Sequence, residues 1–183
     1  MNTYVAILRG INVGGKRMIK MDALKQLFAS LGFQNVETYI QSGNVFFQSK
    51  KTSEEKLAAT IAKEIKSVFT FDVPTIVKNI DELKQIIANN PFTKDNKKLT
   101  EFLHVTFLAT APVKANVDSN AKLHFADDAF AIIDNAVYLY CPNSYSSSKL
   151  TNGFFENKLK VIATTRNWKT CNELVSIAEK LKK

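Results

Sequence analysis

The densest run of chemically capable residues is Arg9-Gly10-Ile11-Asn12-Val13-Gly14-Gly15-Lys16-Arg17. Gly10, Gly15 and Lys16 keep the phosphate-cradling spacing G-x-x-x-x-G-K-[ST] up to its last position, where Arg17 replaces the hydroxyl that would hold magnesium. A Walker loop also opens a parallel sheet, which the order of elements described below does not supply. A milder chemistry survives. Gly10, Gly14 and Gly15 leave backbone N–H groups open, and Arg9, Lys16 and Lys20 add positive charge, a combination that suits an anion. A glycine-rich turn ordered by packing alone would use the same residues.

The second candidate is Tyr39-Ile40-Gln41-Ser42-Gly43-Asn44, although Ser, Gly and Asn are also ordinary turn residues. Topology raises its weight. In a β-α-β-β-α-β sandwich the first two strands run the same way, so the end of the first strand lies beside the second–third hairpin. Arg9, Asn12 and Lys16 are therefore expected near Gln41, Ser42 and Asn44. By the same rule, the exits of the third and fourth strands of a second such unit are neighbours. Those exits carry Pro142 to Lys149 and Thr164-Thr165-Arg166-Asn167-Trp168. Lys149, Arg166 and Asn167 at a helix N-terminus would form a further anion site. The plainer explanation, favoured here, makes Asn167 a helix cap and Trp168 part of a core.

Other chemistries are poorly represented. His104 lies inside a strand pattern and His124 follows a weak helix, and neither has metal-ligand spacing, so no metal and no cofactor is expected. Cys141 and Cys171 lack CxxC partners. There is no G-x-S-x-G elbow, and no carboxylate pair stands out for acid–base work. Asp127, Asp128 and Asp134 fit solvated turns. Ser146 or Ser148 beside Lys149 faintly matches a serine–lysine pair, but serine runs are usually loops.

The frame that would position these clusters is legible from periodicity. Tyr4–Leu8 is a short apolar strand, and Leu24, Leu27, Phe28 and Leu31 recur at helical spacing before Gly32. Val36–Gln41 and Asn44–Gln48 read as strands joined by a two-residue Ser42-Gly43 turn. Thr52 and Glu55 have capping-box spacing ahead of Leu57, Ile61, Ile65 and Val68. Val73–Lys78 closes the unit as a strand, and Asn79 with Glu82 opens a further helix ending near Asn89-Asn90-Pro91. After a polar linker at 93–98 the order recurs. Strands are expected over 102–108, 129–133, 136–140 and 161–164, with helices over 114–123, 154–159 and 168–181. The closing helix would turn Trp168, Cys171, Leu174, Val175, Ala178 and Leu181 inward.

The expected fold is thus α+β: two ferredoxin-like halves, 1–92 and 99–183, each an antiparallel sheet with helices on one face and an extra helix after it. Both faces of Tyr4–Leu8 are apolar, so the face opposite the helices is expected to be covered by the second half or by another subunit.

Composition limits the setting. Hydrophobic residues make up 45% and charged residues 23%, enough apolar material for a real core. The two cysteines point to a reduced, cytoplasmic protein. No apolar run reaches the length of a membrane span, and no membrane partner is expected. The net charge of +8 admits an anionic partner. Its carriers, however, are dispersed lysines rather than the arginines that read phosphates and bases, which speaks for solubility.

The blocks Arg9 to Lys16, Lys20-Met21, Leu31-Gly32-Phe33 and Thr38 to Val45 resemble an uncharacterised bacterial family, a domain of unknown function. So do Asn90-Pro91-Phe92, Ser148-Lys149-Leu150 and Thr164 to Trp168. The resemblance spans nearly the whole chain and implies two ferredoxin-like halves, but no activity. The Tyr145–Ser148 loop departs from it, with more serine and less glycine.

The leading expectation is a small anionic or phosphorylated ligand bound at the glycine-rich first-strand loop. Nucleic-acid binding ranks lower, because Gly43 to Gln48 lacks the basic start and aromatic spacing of an RNA-recognition strand. A non-enzymatic interaction module, as an oligomer through the covered sheet face, is the third reading.

Overall fold

A computed structural model describes residues 1–95 and 97–181; Asn96 of the expected linker and the last two lysines lie outside it. The first set of elements is β1 (Asn2–Leu8), α1 (Met21–Ser30), β2 (Gln34–Tyr39), β3 (Asn44–Ser49), α2 (Glu54–Phe69), β4 (Thr75–Asn79) and α3 (Ile80–Ala88). The second is β5 (Leu103–Leu108), α4 (Lys114–Asn120), β6 (Ala129–Ile133), β7 (Ala136–Tyr140), α5 (Asn152–Leu159), β8 (Ala163–Asn167) and α6 (Trp168–Leu181). The strands form two four-stranded antiparallel sheets, ordered β2-β3-β1-β4 and β6-β7-β5-β8. This is the duplicated α+β fold expected from the sequence, with an extra helix after each set.

Strand alternation assigns the faces. In the first sheet Tyr4, Ala6, Leu8, Val45, Phe47 and Val77 meet Leu24 and Phe28 of α1 and Leu57, Ile61 and Ile65 of α2. The Phe47 ring sits 4.4 Å from Phe33, 5.4 Å from Phe28 and 5.7 Å from Tyr4. In the second sheet Leu108, Val137, Leu139 and Cys141 pack on Phe155 and Leu159 of α5.

The other faces are buried too, as the unbroken apolar run of β1 requires: Val5, Ile7, Phe46 and Ile76 are all at most 1% exposed. The chain divides into two compact units, residues 1–83 with 174–183, and residues 84–173. In the first, Gln48 stands opposite Thr3 on the Val5 face and donates from Nε2 to the Leu181 carbonyl of α6 (2.9 Å). In the second, Tyr138, on the face away from Val137 and Leu139, donates to the Ile86 carbonyl of α3 (2.7 Å). Each sheet therefore carries its own two-helix layer on one side and meets a helix drawn from beyond its own β-α-β-β-α-β set on the other.

Several boundaries shift from expectation, three of them for identifiable local reasons. The α2 cap is Ser53, which accepts from Lys56 N, while the Thr52 carbonyl is taken by the Tyr4 hydroxyl. Strand β8 runs on to Asn167, because Thr165, Arg166 and Asn167 pair with Thr106, Val105 and His104. The hairpin between β2 and β3 is a four-residue turn, Ile40 to Gly43, rather than a two-residue one. Gly43, at φ +83°, is drawn onto β1, where its carbonyl accepts from Leu8 N at 2.8 Å. A Cβ on Gly43 would come within 2.6 Å of Ile11 Cδ1 and 2.9 Å of Leu8 Cβ. Gly43→Ala is therefore expected to lower stability by about 2 kcal/mol or more, read as a lower urea midpoint at unchanged slope. An unchanged midpoint would show that this contact does not hold the hairpin.

Candidate functional site

At the C-terminal end of β1 the chain makes a short excursion whose shape follows from a few backbone demands. Gly14 and Gly15 both have positive φ, +57° and +71°, as a type I′ turn requires at its two central positions. The turn is closed by Lys16 N on the Val13 carbonyl (3.1 Å) and by Asn12 N on the Arg17 carbonyl (3.2 Å). The Asn12 side chain then fastens the excursion at both ends. Its Oδ1 accepts from Ile19 N (2.8 Å), and its Nδ2 donates to the carbonyls of Ile19 (2.9 Å) and Gln41 (3.0 Å). Arg9, Asn12 and Lys16 thereby share an edge with Gln41, Ser42 and Asn44, the juxtaposition read from topology.

Several of these residues build the edge rather than face outward. The Asn12 carboxamide is engaged by backbone at both its oxygen and its nitrogen. Asn44 is buried and donates from Nδ2 to the Tyr39 carbonyl and to Ser42 Oγ, each at 3.1 Å. Facing solvent are Lys16, Lys20 and Gln41, with Gly10, Gly14 and Gly15, while Arg9 is half-buried. Arg17, first noted only as the residue that breaks the Walker pattern, joins them: its guanidinium lies over Gly10, 3.2 Å from where a Cβ would stand. The signal for Arg17 was present in the sequence, since residues 1–22 contain four cations and one acid, Asp22. Helix α1 opens at the same edge with Lys20 as its N-cap and no side-chain cap, leaving its first-turn N–H groups for another acceptor.

In the second unit, Lys149 borders a cleft of about 400 Å³ with His124, Asp127, Asp128, Asn143 and Ser147. Its two carboxylates accept from Asn143 Nδ2 (3.0 Å) and Ser148 Oγ (2.7 Å). Arg166 and Asn167 do not line it. Arg166 lies within β8 and donates from Nη1 to the Thr165 carbonyl (3.0 Å); burial lowers its pKa to about 10, still well above neutrality. Asn167 accepts from Thr170 N (2.8 Å) and so caps the start of α6. The two strand exits do approach each other, at His104, which pairs with Asn167 and stacks on Tyr145 at 4.8 Å. Burial lowers the His104 pKa, favouring the neutral imidazole. Both thiols are buried; burial raises Cys141 to about 11 and Cys171 to about 12, so neither is a reactive thiolate.

Sequence reasoning missed a titratable cluster at the opposite end of the first sheet. Lys78 is 1% exposed and pairs through Nζ with Glu82 Oε1 at 2.7 Å. Glu54, the first residue of α2, accepts from Asn79 N (2.9 Å) and Asn79 Nδ2 (2.6 Å), while Asn79 Oδ1 caps α3 at Glu82 N (2.9 Å). One carboxyl thus joins the start of α2, the end of β4 and the start of α3, beside a polar cleft of about 360 Å³. Burial raises the Glu54 pKa to about 7, reinforced by its contact with Glu82 and opposed by Asn79 and Lys78. The available clue was Lys78, a lysine that strand alternation places on the same face as Ile76.

The fold and this edge define a class: a duplicated ferredoxin-like α+β protein whose glycine-rich strand exit gathers cations around an open helix start. The chain belongs to the family described as protein of unknown function (DUF1697), whose profile matches residues 1–138 and so takes in the whole of that edge. Its fold is similar to that of the conserved bacterial protein SP0830 from Streptococcus pneumoniae, with a TM-score of 0.71 and 23% identity over 97% of this chain and 98% of that one. No curated protein matches the chain. Among the described residues, no helix is long and apolar enough to cross a membrane and no cluster of His, Cys, Asp or Glu could hold a metal ion.

The Glu54 cluster carries a pH dependence whose sign is fixed. A carboxyl whose pKa is 4.5 when unfolded and about 7 when folded binds more protons in the native state, so the stability it contributes is present below 4.5 and is lost as pH rises through about 7. The melting temperature is expected to fall across that window in the parent, and Glu54→Gln is expected to flatten the fall. A parent and variant with superimposable profiles would place the Glu54 titration elsewhere.

Proposed function

We propose that the chain binds a small anionic or phosphorylated ligand at the edge formed by the β1 exit, the Ile40–Gly43 turn and the start of α1. The observation that carries this reading is a set of four cations, Arg9, Lys16, Arg17 and Lys20, against the single acid Asp22, around a helix N-terminus that no side chain caps. Unbonded first-turn N–H groups, the positive end of the helix dipole and open glycine N–H groups all favour negative charge at one place. Arginine adds a planar fork suited to phosphate or carboxylate oxygens. The Asn12 clasp supports it further, because a site whose loops are fixed beforehand loses less entropy when the ligand arrives. Two buried cysteines that form no disulfide agree with a reducing cytoplasmic setting.

Nucleic acid is the weaker occupant. Single-stranded nucleic acids are held by stacking bases on aromatic rings, and no Phe, Tyr or Trp among the described residues is exposed. The same edge is served better by a ligand that needs charge and hydrogen-bond donors and no aromatic platform.

A thermal-shift series with inorganic phosphate, sugar phosphates and nucleotides tests the reading. A ligand of the folded state stabilises by about 2.7 kcal/mol at a hundredfold excess over its dissociation constant. The shift is expected to be lost when Lys16→Ala and Arg17→Ala are combined, and to persist in Lys149→Ala. A shift that survives the double change would sink the proposal.

A further inference from the structure

We infer that this edge docks on an anionic phospholipid surface, with Val13, Met18 and Ile40 entering the headgroup layer while Arg9, Lys16, Arg17 and Lys20 meet lipid phosphates. The inference rests on the anion reading of the same edge and names where the anion resides.

Apolar exposure comes first. Val13, Met18 and Ile40 are 63%, 65% and 46% exposed. Single exposed apolar residues are ordinary on a protein surface, but a group of them at one spot marks a contact site. These three form a group because of Asn12. Its side chain bonds the backbones of Ile19 and Gln41 at once, so the three loop segments that carry Val13, Met18 and Ile40 meet at one place. They stand on three separate loop segments: the type I′ turn, the approach to α1, and the β2–β3 turn. Nothing in packing explains an exposed methionine between Arg17 and Ile19, since Ile19 alone turns into the core.

Charge then selects the occupant. A second copy of this chain carries the same +8 and would be repelled. A nucleic acid would ask for exposed rings, and the edge offers only aliphatic side chains. An anionic bilayer asks for what is present: short aliphatic groups that reach just below the headgroups, and lysine or arginine beside them. A lysine-rich coat, poorly suited to reading bases, is well suited to a diffuse negative surface, where each cation adds attraction without requiring defined geometry. The contact is peripheral, so it needs no spanning segment, and the expectation of no membrane partner is replaced on this point.

Flotation with phosphatidylcholine vesicles, with and without phosphatidylglycerol, tests the inference on the full chain. Binding is expected only with phosphatidylglycerol, and it should weaken as salt is raised. Combining Val13→Ser, Met18→Ser and Ile40→Ser is expected to weaken it on the order of tenfold, with the melting temperature and any inorganic-phosphate shift unchanged. No flotation, or flotation untouched by the triple change, would overturn the inference. If the phosphate shift persists while flotation fails, the anion reading stands and the lipid surface falls. If both are absent, both readings fall.

Discussion

Ile11 and Leu8 occupy the space in which residue 43 would carry a Cβ, and the Gly43 carbonyl takes the Leu8 amide. That contact sets the path of the chain on both sides of the sheet edge. It pulls the β2–β3 turn onto the end of β1, which leaves the Gln41 carbonyl within reach of Asn12. With Asn12 fixed, Ile19 drops into the core and α1 begins two residues later, so the helix opens where the cations already stand. The placement of Lys16, Arg17 and Lys20 is thus a consequence of a packing rule. A larger residue at 43 would disturb the edge through its backbone before any charge had moved.

The first sheet is chemically polarised along its strands. At one end it gathers cations and open amides, and at the other a buried lysine paired with Glu82 and a Glu54 carboxyl whose pKa burial raises to about 7. Each end uses the same resource, a helix start beside a strand end, but satisfies it differently. At α1 no side chain caps the helix, whereas Ser53 caps α2 and Asn79 caps α3. An internally satisfied end serves as a structural joint, and an unsatisfied one invites an external acceptor.

Much of this was legible in the sequence, for identifiable reasons. The element order was readable because apolar residues recur with unambiguous period in Tyr4–Leu8, Leu24–Leu31 and Leu57–Ile65. The meeting of the Arg9 loop with the Gln41 turn followed from strand direction alone. Asn79 and Asn167 were read as caps, and both are. Register and atom-level bonding were less accessible. A two-residue turn and a four-residue turn fit the same Gly and Asn signals, and only the Gly43 contact with β1 decides between them. Arg166 looked like a loop residue because Thr164 to Asn167 is polar, yet pairing with β5 extends β8 through it. Glu54 and Glu82 are separated by a whole helix and strand, so their proximity left no short-range pattern to read.

The origin of the helix that bonds to Gln48 bears on how the first unit is completed. Translation delivers β1 to β4 early and residues 174–181 late, so the first unit, which holds both, lacks the bond from Gln48 to the Leu181 carbonyl until the second sheet has been made. The first unit's final closure is timed by the arrival of α6 and not by the completion of its own strands.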